Sequence, residues 1–248
     1  MTIVSRRAFI KAAGAAAATL KTSTAPAASL PRDAKAAAAG AGHGFFTAAE
    51  ASTVAAMVER LIPTDDTGPG AREAGVAAFI DVQLAGPWGA GERLYRAGPW
   101  HAGTSTQGYQ LAFTPADLFR HALRAIDDDL ARTRNTTFAR LSPGDQDAYL
   151  QTLEKGGQDL GGVPGNVFFE SLLEMTLEGF FSDPVYGGNV GKVGWKLVGF
   201  PGAYANYYEL VDQHGIAFDA PPVSLAEDAH GTVHAHPFIP ARVDPKRS

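Results

Sequence analysis

Two clusters of side chains in this 248-residue sequence have the types that chemistry uses. His230, His234 and His236 lie close together near the C-terminus, and neutral imidazole is a common ligand of first-row transition metals. They sit in a proline-containing stretch with no apolar period, so no helix fixes the i, i+4 pair and no packed neighbour orients the rings. Asp65-Asp66, within Ile62-Pro63-Thr64-Asp65-Asp66-Thr67-Gly68-Pro69-Gly70, is the other cluster, and adjacent carboxylates can divide general-acid and general-base roles. Neighbouring loop carboxylates serve more commonly as caps or turn residues, and a helix expected just after them would favour negative charge at its N-terminus. Asp65 and Asp66 are therefore read as turn or cap residues, with an acid/base pair as the alternative. His121 falls on the polar side of an expected helix and reads as a surface or hydrogen-bonded histidine.

Other catalytic patterns fail on inspection. Gly40-Ala41-Gly42-His43-Gly44 has no strand before it and its third glycine comes too early for a dinucleotide turn. Around Gly191-Lys192-Val193, a phosphate loop would need glycine at Tyr186 and serine or threonine at Val193. The sequence contains no His-Glu-x-x-His, no Gly-x-Ser-x-Gly and no EF-hand loop. Its lack of cysteine excludes disulfides, iron–sulfur ligation, cysteine-bound zinc and covalent c-type haem attachment in this chain.

The formal charge is −5, and Arg6, Arg7, Lys11 and Lys21 all precede the first acid, Asp33. Removing those four cations would take a chain starting near Ala28 from −5 to −9, which argues against a nucleic-acid partner. Ser5-Arg6-Arg7-Ala8-Phe9-Ile10-Lys11 forms a basic opening, Ala12–Leu20 a short apolar run and Ala25-Pro26-Ala27 a small-residue cleavage site. Paired Arg6 and Arg7 followed by Phe9 resemble a twin-arginine signal. Such a signal implies a periplasmic destination and cargo that is folded before export. Residues 28–44 are Ala/Gly-rich and read as a linker.

The elements that must position any site read as helices. Thr47-Ala48-Ala49-Glu50 is a capping box behind Phe46, and Val54, Met57, Val58 and Leu61 follow at helical spacing up to Pro63. A second helix is expected over about Arg72–Ala85, with Val76, Phe79, Ile80 and Leu84 on one face. Thr114-Pro115-Ala116-Asp117 and Ser142-Pro143-Gly144-Asp145 each place an N-cap, a proline at the first helical position and an early acid. Gly156-Gly157 stops the shorter of these two helices, and Pro164 opens the most apolar one, which runs to Asp183-Pro184. No succession of alternating β-branched runs appears. The expected fold is all-α: an irregular helical bundle with long Gly/Pro-rich loops, among them Gly86–Phe113, and an extended C-terminal tail. The organisation read from this is a signal at 1–27, a linker at 28–44, a helical domain at 45–216 and a loosely attached tail at 217–248.

Two blocks carry a resemblance. Leu61–Val76 with Phe79-Ile80-Asp81, and Thr176-Leu177-Glu178-Gly179-Phe180-Phe181-Ser182-Asp183-Pro184-Val185-Tyr186-Gly187-Gly188-Asn189 continuing through Gly194–Ala203, resemble the gluconate 2-dehydrogenase subunit 3 family. The resemblance covers most of Phe45–Tyr208. It implies a non-catalytic small subunit with no cofactor of its own, partnered by a large FAD-dependent dehydrogenase of the glucose–methanol–choline type. It further implies a c-type cytochrome as a possible third subunit carrying haem c, and passage through the twin-arginine translocon. The interface residues expected on this basis are Asp65, Asp66, Tyr186, Asn189, Trp195 and Lys196. Two readings of the second block stay open: either the Pro184–Gly188 turn and Trp195-Lys196 face the flavoprotein, or the glycines serve packing while Phe180, Phe181 and Phe200 fill the core.

Overall fold

Thr47 begins the first helix as its composition requires: its hydroxyl accepts from the Glu50 amide, and Glu50 accepts from the Thr47 amide at 2.7 Å. The computed structural model describes residues 44–233, apart from 93, 96, 102, 105, 106, 205–207, 217, 219 and 229. Arg6, Arg7, Phe9, residues 28–43 of the linker, His234 and His236 lie outside the described residues. Six α-helices follow in order: α1 (Ala48–Leu61), α2 (Val76–Ala85), α3 (Pro115–Arg134), α4 (Pro143–Glu154), α5 (Gly165–Phe181) and α6 (Val193–Val198). Short 3-10 turns occupy Phe138–Arg140, Pro184–Tyr186, Val190–Lys192 and Tyr208–Leu210. No strand occurs among the described residues beyond isolated bridges, so the fold is all-α.

The expected starts of α3 and α4 hold, with Thr114 and Ser142 as N-caps and proline in the first turn of each. The second helix begins later than its apolar spacing predicts, at Val76, because Gly75 adopts left-handed backbone (φ 73°) and breaks the turn that precedes it. The helix α5 is the hub, packing against α1, α2, α3, α4 and α6. Phe168 on α5 meets Phe119 on α3 edge-on at 5.4 Å, and Leu172, Met175 and Phe180 continue the buried face.

Asp81 on α2 anchors the incoming chain. Its carboxylate accepts from the amides of Gly44 (2.6 Å), Phe45 (3.0 Å) and Phe46 (2.6 Å), while Arg120 donates to the Phe45 carbonyl at 2.7 Å. In the Gly86–Phe113 loop, Tyr109 packs against the core, whereas Tyr95 is 84% exposed.

The C-terminal stretch departs from expectation. Residues 221–227 are not a loose tail but are docked on the second sequence block. The Ala203 amide donates to the Val223 carbonyl at 2.7 Å, and Val223 donates to the Pro201 carbonyl at 3.1 Å. Ser224 is buried beside Asp183, and Glu227 pairs with Lys192 at 2.7 Å. The ties are polar and join groups far apart in the sequence, so no apolar period announces them.

Candidate functional site

The second block folds into a knot of turns at the C-terminal end of α5. Asn189 is its centre. It is fully buried, with left-handed backbone (φ 48°), and its side chain donates to the Ser182 carbonyl (2.9 Å) and accepts from the Gly194 amide (2.8 Å). One amide side chain thus closes the turn leaving α5 and starts α6. Trp195 is 5% exposed, and its indole N–H donates to the Phe181 carbonyl at 2.7 Å, capping another free carbonyl of the last α5 turn. Gly188 and Gly194 allow the approach: a Cβ on either would lie 2.2 Å and 2.1 Å from the Gly179 and Phe180 carbonyl oxygens.

This geometry corrects part of the expected interface. Asn189 and Trp195 are internal fastenings, because both side chains are buried and hydrogen-bond to the backbone around the end of α5. Tyr186 and Lys196 are exposed, together with Val198 and Phe200. Phe200 is half-exposed, with its ring stacked edge-on against Trp195 at 5.1 Å, so it does not fill the core. Phe180 is buried and Phe181 partly so.

Asp183 was not among the expected site residues, yet it ties the knot to the tail. It accepts from the Val185 amide at 3.0 Å as the cap of a 3-10 turn, and also from the Ser224 hydroxyl and the Leu225 amide. Beside it, burial pushes the Glu227 carboxyl up, but the Lys192 ammonium and the Ser224 amide outweigh burial and hold it below the ordinary glutamate range. The Asp-Pro signal in the sequence marks Asp183 as a cap; its reach to Ser224 and Leu225 is a tertiary contact that no spacing encodes.

Asp65 and Asp66 lie in an exposed turn. Asp65 accepts from the Thr67 amide (2.9 Å) and hydroxyl, closing a tight turn whose backbone pairs Asp65 with Gly68. Asp66 is exposed. Neither caps α2, which starts ten positions later; that part of the expectation is corrected by the left-handed Gly75. The carboxylate that organises this loop is Glu73, which accepts from the Thr64 hydroxyl at 2.7 Å and the Gly70 amide at 3.2 Å. Burial raises its pKa, but these bonds prevail and the net shift is downward. The two blocks meet: the Val190 amide donates to the Ala74 carbonyl at 3.0 Å, and Gly75 packs on Val190.

His230 is exposed on a turn, and His121 on α3 lies 3.3 Å from the Gly161 carbonyl. Among the described residues, no group of three or more histidine, aspartate or glutamate side chains is placed to hold a metal ion, and no helix is long and apolar enough to cross a membrane.

The architecture is thus an all-α body whose two sequence blocks interlock around α2 and the end of α5. A sequence model of gluconate 2-dehydrogenase subunit 3 matches residues 48–202, well over half of the chain, and the chain belongs to that family. It is by that membership a subunit of a multisubunit dehydrogenase. Comparisons with curated proteins and with solved structures find no match.

Proposed function

We propose that this chain is the non-catalytic small subunit of a periplasmic FAD-dependent dehydrogenase acting on a sugar, polyol or aldonate. It binds the folded large flavoprotein of the glucose–methanol–choline type, lends it the twin-arginine signal, and stays as a stabilising subunit. A c-type cytochrome would take electrons onward. The observation that carries this reading is the family match over residues 48–202 in a chain whose sequence opens with Arg6-Arg7-Ala8-Phe9. A signal for folded cargo on a cysteine-free chain fits a partner that loads FAD before export. Tyr186 and Lys196, exposed at the end of the family-matched region, supply a surface for that partner.

The test is export. With Arg6→Lys and Arg7→Lys together, active holo-flavoprotein is expected to accumulate in the cytoplasm and fall at least tenfold in the periplasm. Undiminished periplasmic dehydrogenase would overturn the escort reading. Turnover of a sugar acid by the small subunit purified alone would overturn the non-catalytic one.

A further inference from the structure

The outer face of α5 carries Glu170, Glu174 and Glu178 at successive i, i+4 positions, all exposed. They lie along a trough made of two depressions that meet at Glu178. One is walled by Trp88 and Tyr109, the other by Phe79, Phe181 and Tyr186. The second depression measures about 430 Å³, a volume in the range of small-ligand pockets, but it opens broadly to solvent. A chain segment laid across it fits that shape better than an enclosed small molecule. Like charges one helical turn apart repel, and among the described residues none of the three glutamates has an ion-pair partner. Burial, with Glu174 close by, pushes the Glu178 carboxyl up. A trough of this kind suits an occupant that is both cationic and apolar.

The sequence contains such an occupant. Residues 5–21 hold Arg6, Arg7, Lys11 and Lys21 without an acid, and Phe9-Ile10 sits among the first three. The described body begins at Gly44, pinned to Asp81 on α2, and α2 also contributes Phe79 and Gln83 to the trough. The connecting residues 22–43 could span up to about 70 Å fully extended, far more than the roughly 16–19 Å of half the girth of a helix ~10–12 Å across.

We propose that Ser5–Lys21 docks in cis along the α5 trough, its arginines and Lys11 facing Glu170, Glu174 and Glu178, with Phe9-Ile10 against the aromatic walls. Tethering gives an effective concentration of about 1 mM, so a site holding the free segment with a dissociation constant of about 50 μM would be filled about 95% of the time. The consequence rests on the escort function: Tyr186 belongs both to this trough and to the exposed surface offered to the flavoprotein. Partner binding and signal docking then compete, and the signal is released for export only once cargo is bound.

The cysteine-free sequence makes the test clean. Full-length protein carrying Ala8→Cys with Ser171→Cys, in the trough, is oxidised beside Ala8→Cys with Gln151→Cys, exposed on α4. The trough pair is expected to close within one chain at least ~10-fold faster, and the advantage is expected to vanish in Glu170→Gln/Glu174→Gln/Glu178→Gln. Raising salt to ~1 M is expected to shrink it without any mutation, since screening then acts within about 3 Å. Equal rates for the two pairs would overturn the proposal. So would disulfides mainly between chains, which would make a second copy the occupant. A third overturning result is flavoprotein binding that needs the three glutamates while the trough pair closes at the control rate. None of these rates depends on export, so the proposal can fail while the escort function stands, and the reverse.

Discussion

Asn189 shows how one side chain can determine a family signature. Its two hydrogen bonds satisfy the partly buried Ser182 carbonyl and the buried Gly194 amide, and its own backbone occupies the left-handed region that asparagine tolerates well. Asn189→Ala removes both bonds and puts alanine, which lacks asparagine's tolerance of the left-handed region, at positive φ. The expected loss is about 2–4 kcal/mol of unfolding free energy, from the penalties for unmade buried hydrogen bonds. Denaturant unfolding of the isolated chain measures it; a loss below about 1 kcal/mol would show that the knot does not depend on this side chain. Asn189→Gly keeps the backbone and loses only the bonds, so its difference from alanine isolates the conformational part. Sequence spacing could not have marked Asn189 as internal, because its partners are backbone groups, which every residue has.

The helices were legible where their signals are local. Thr47, Thr114 and Ser142 announce their own caps within three positions, and the buried face of α3 follows its apolar spacing. The segment 221–227 was not legible, because it is held by Asp183, Lys192 and the backbone of Pro201–Ala203, contacts formed across about 20–40 positions between polar groups. Its stability should follow pH. The Glu227 carboxyl is held below its ordinary value in the fold, so the contribution of the pair is present above the unfolded pKa and is lost as pH falls through the lower, folded one. Amide exchange at Ala203, whose N–H bonds the Val223 carbonyl, is the local reporter. Glu227→Gln at neutral pH is expected to speed exchange there by about tenfold, the equivalent of about 1.4 kcal/mol, while exchange in the buried turns of α3 stays constant. Equal exchange in the two proteins would mean that backbone pairing alone holds the segment.

Taken as a whole, the body presents different faces to different tasks. The interior is closed by α5, which touches each of the other five α-helices among the described residues. What it leaves outside at the end of α5 is Tyr186, Lys196, Val198 and Phe200, beyond the knot that Asn189 and Trp195 fasten. A rigid knot with exposed aromatic and aliphatic groups has the features of an anchor surface, since little ordering entropy remains to be lost when a partner covers it. Phe200 is a poor probe because its ring also packs on Trp195. Tyr186 and Val198 are better: each is about half-exposed, and among the described residues the Tyr186 ring neither stacks on another ring nor hydrogen-bonds through its hydroxyl. Tyr186→Ala with Val198→Ala is expected to leave the unfolding free energy of the isolated subunit within about 0.5 kcal/mol per site, as for ordinary surface substitutions. The same pair is expected to weaken the complex with the co-expressed flavoprotein at least ~10-fold, the effect of losing a modest interface anchor. Affinity measured with purified subunits separates the outcomes. Unchanged affinity with unchanged stability would move the interface to another face, whereas a parallel loss of both would mean that the side chains brace the knot instead of meeting the partner.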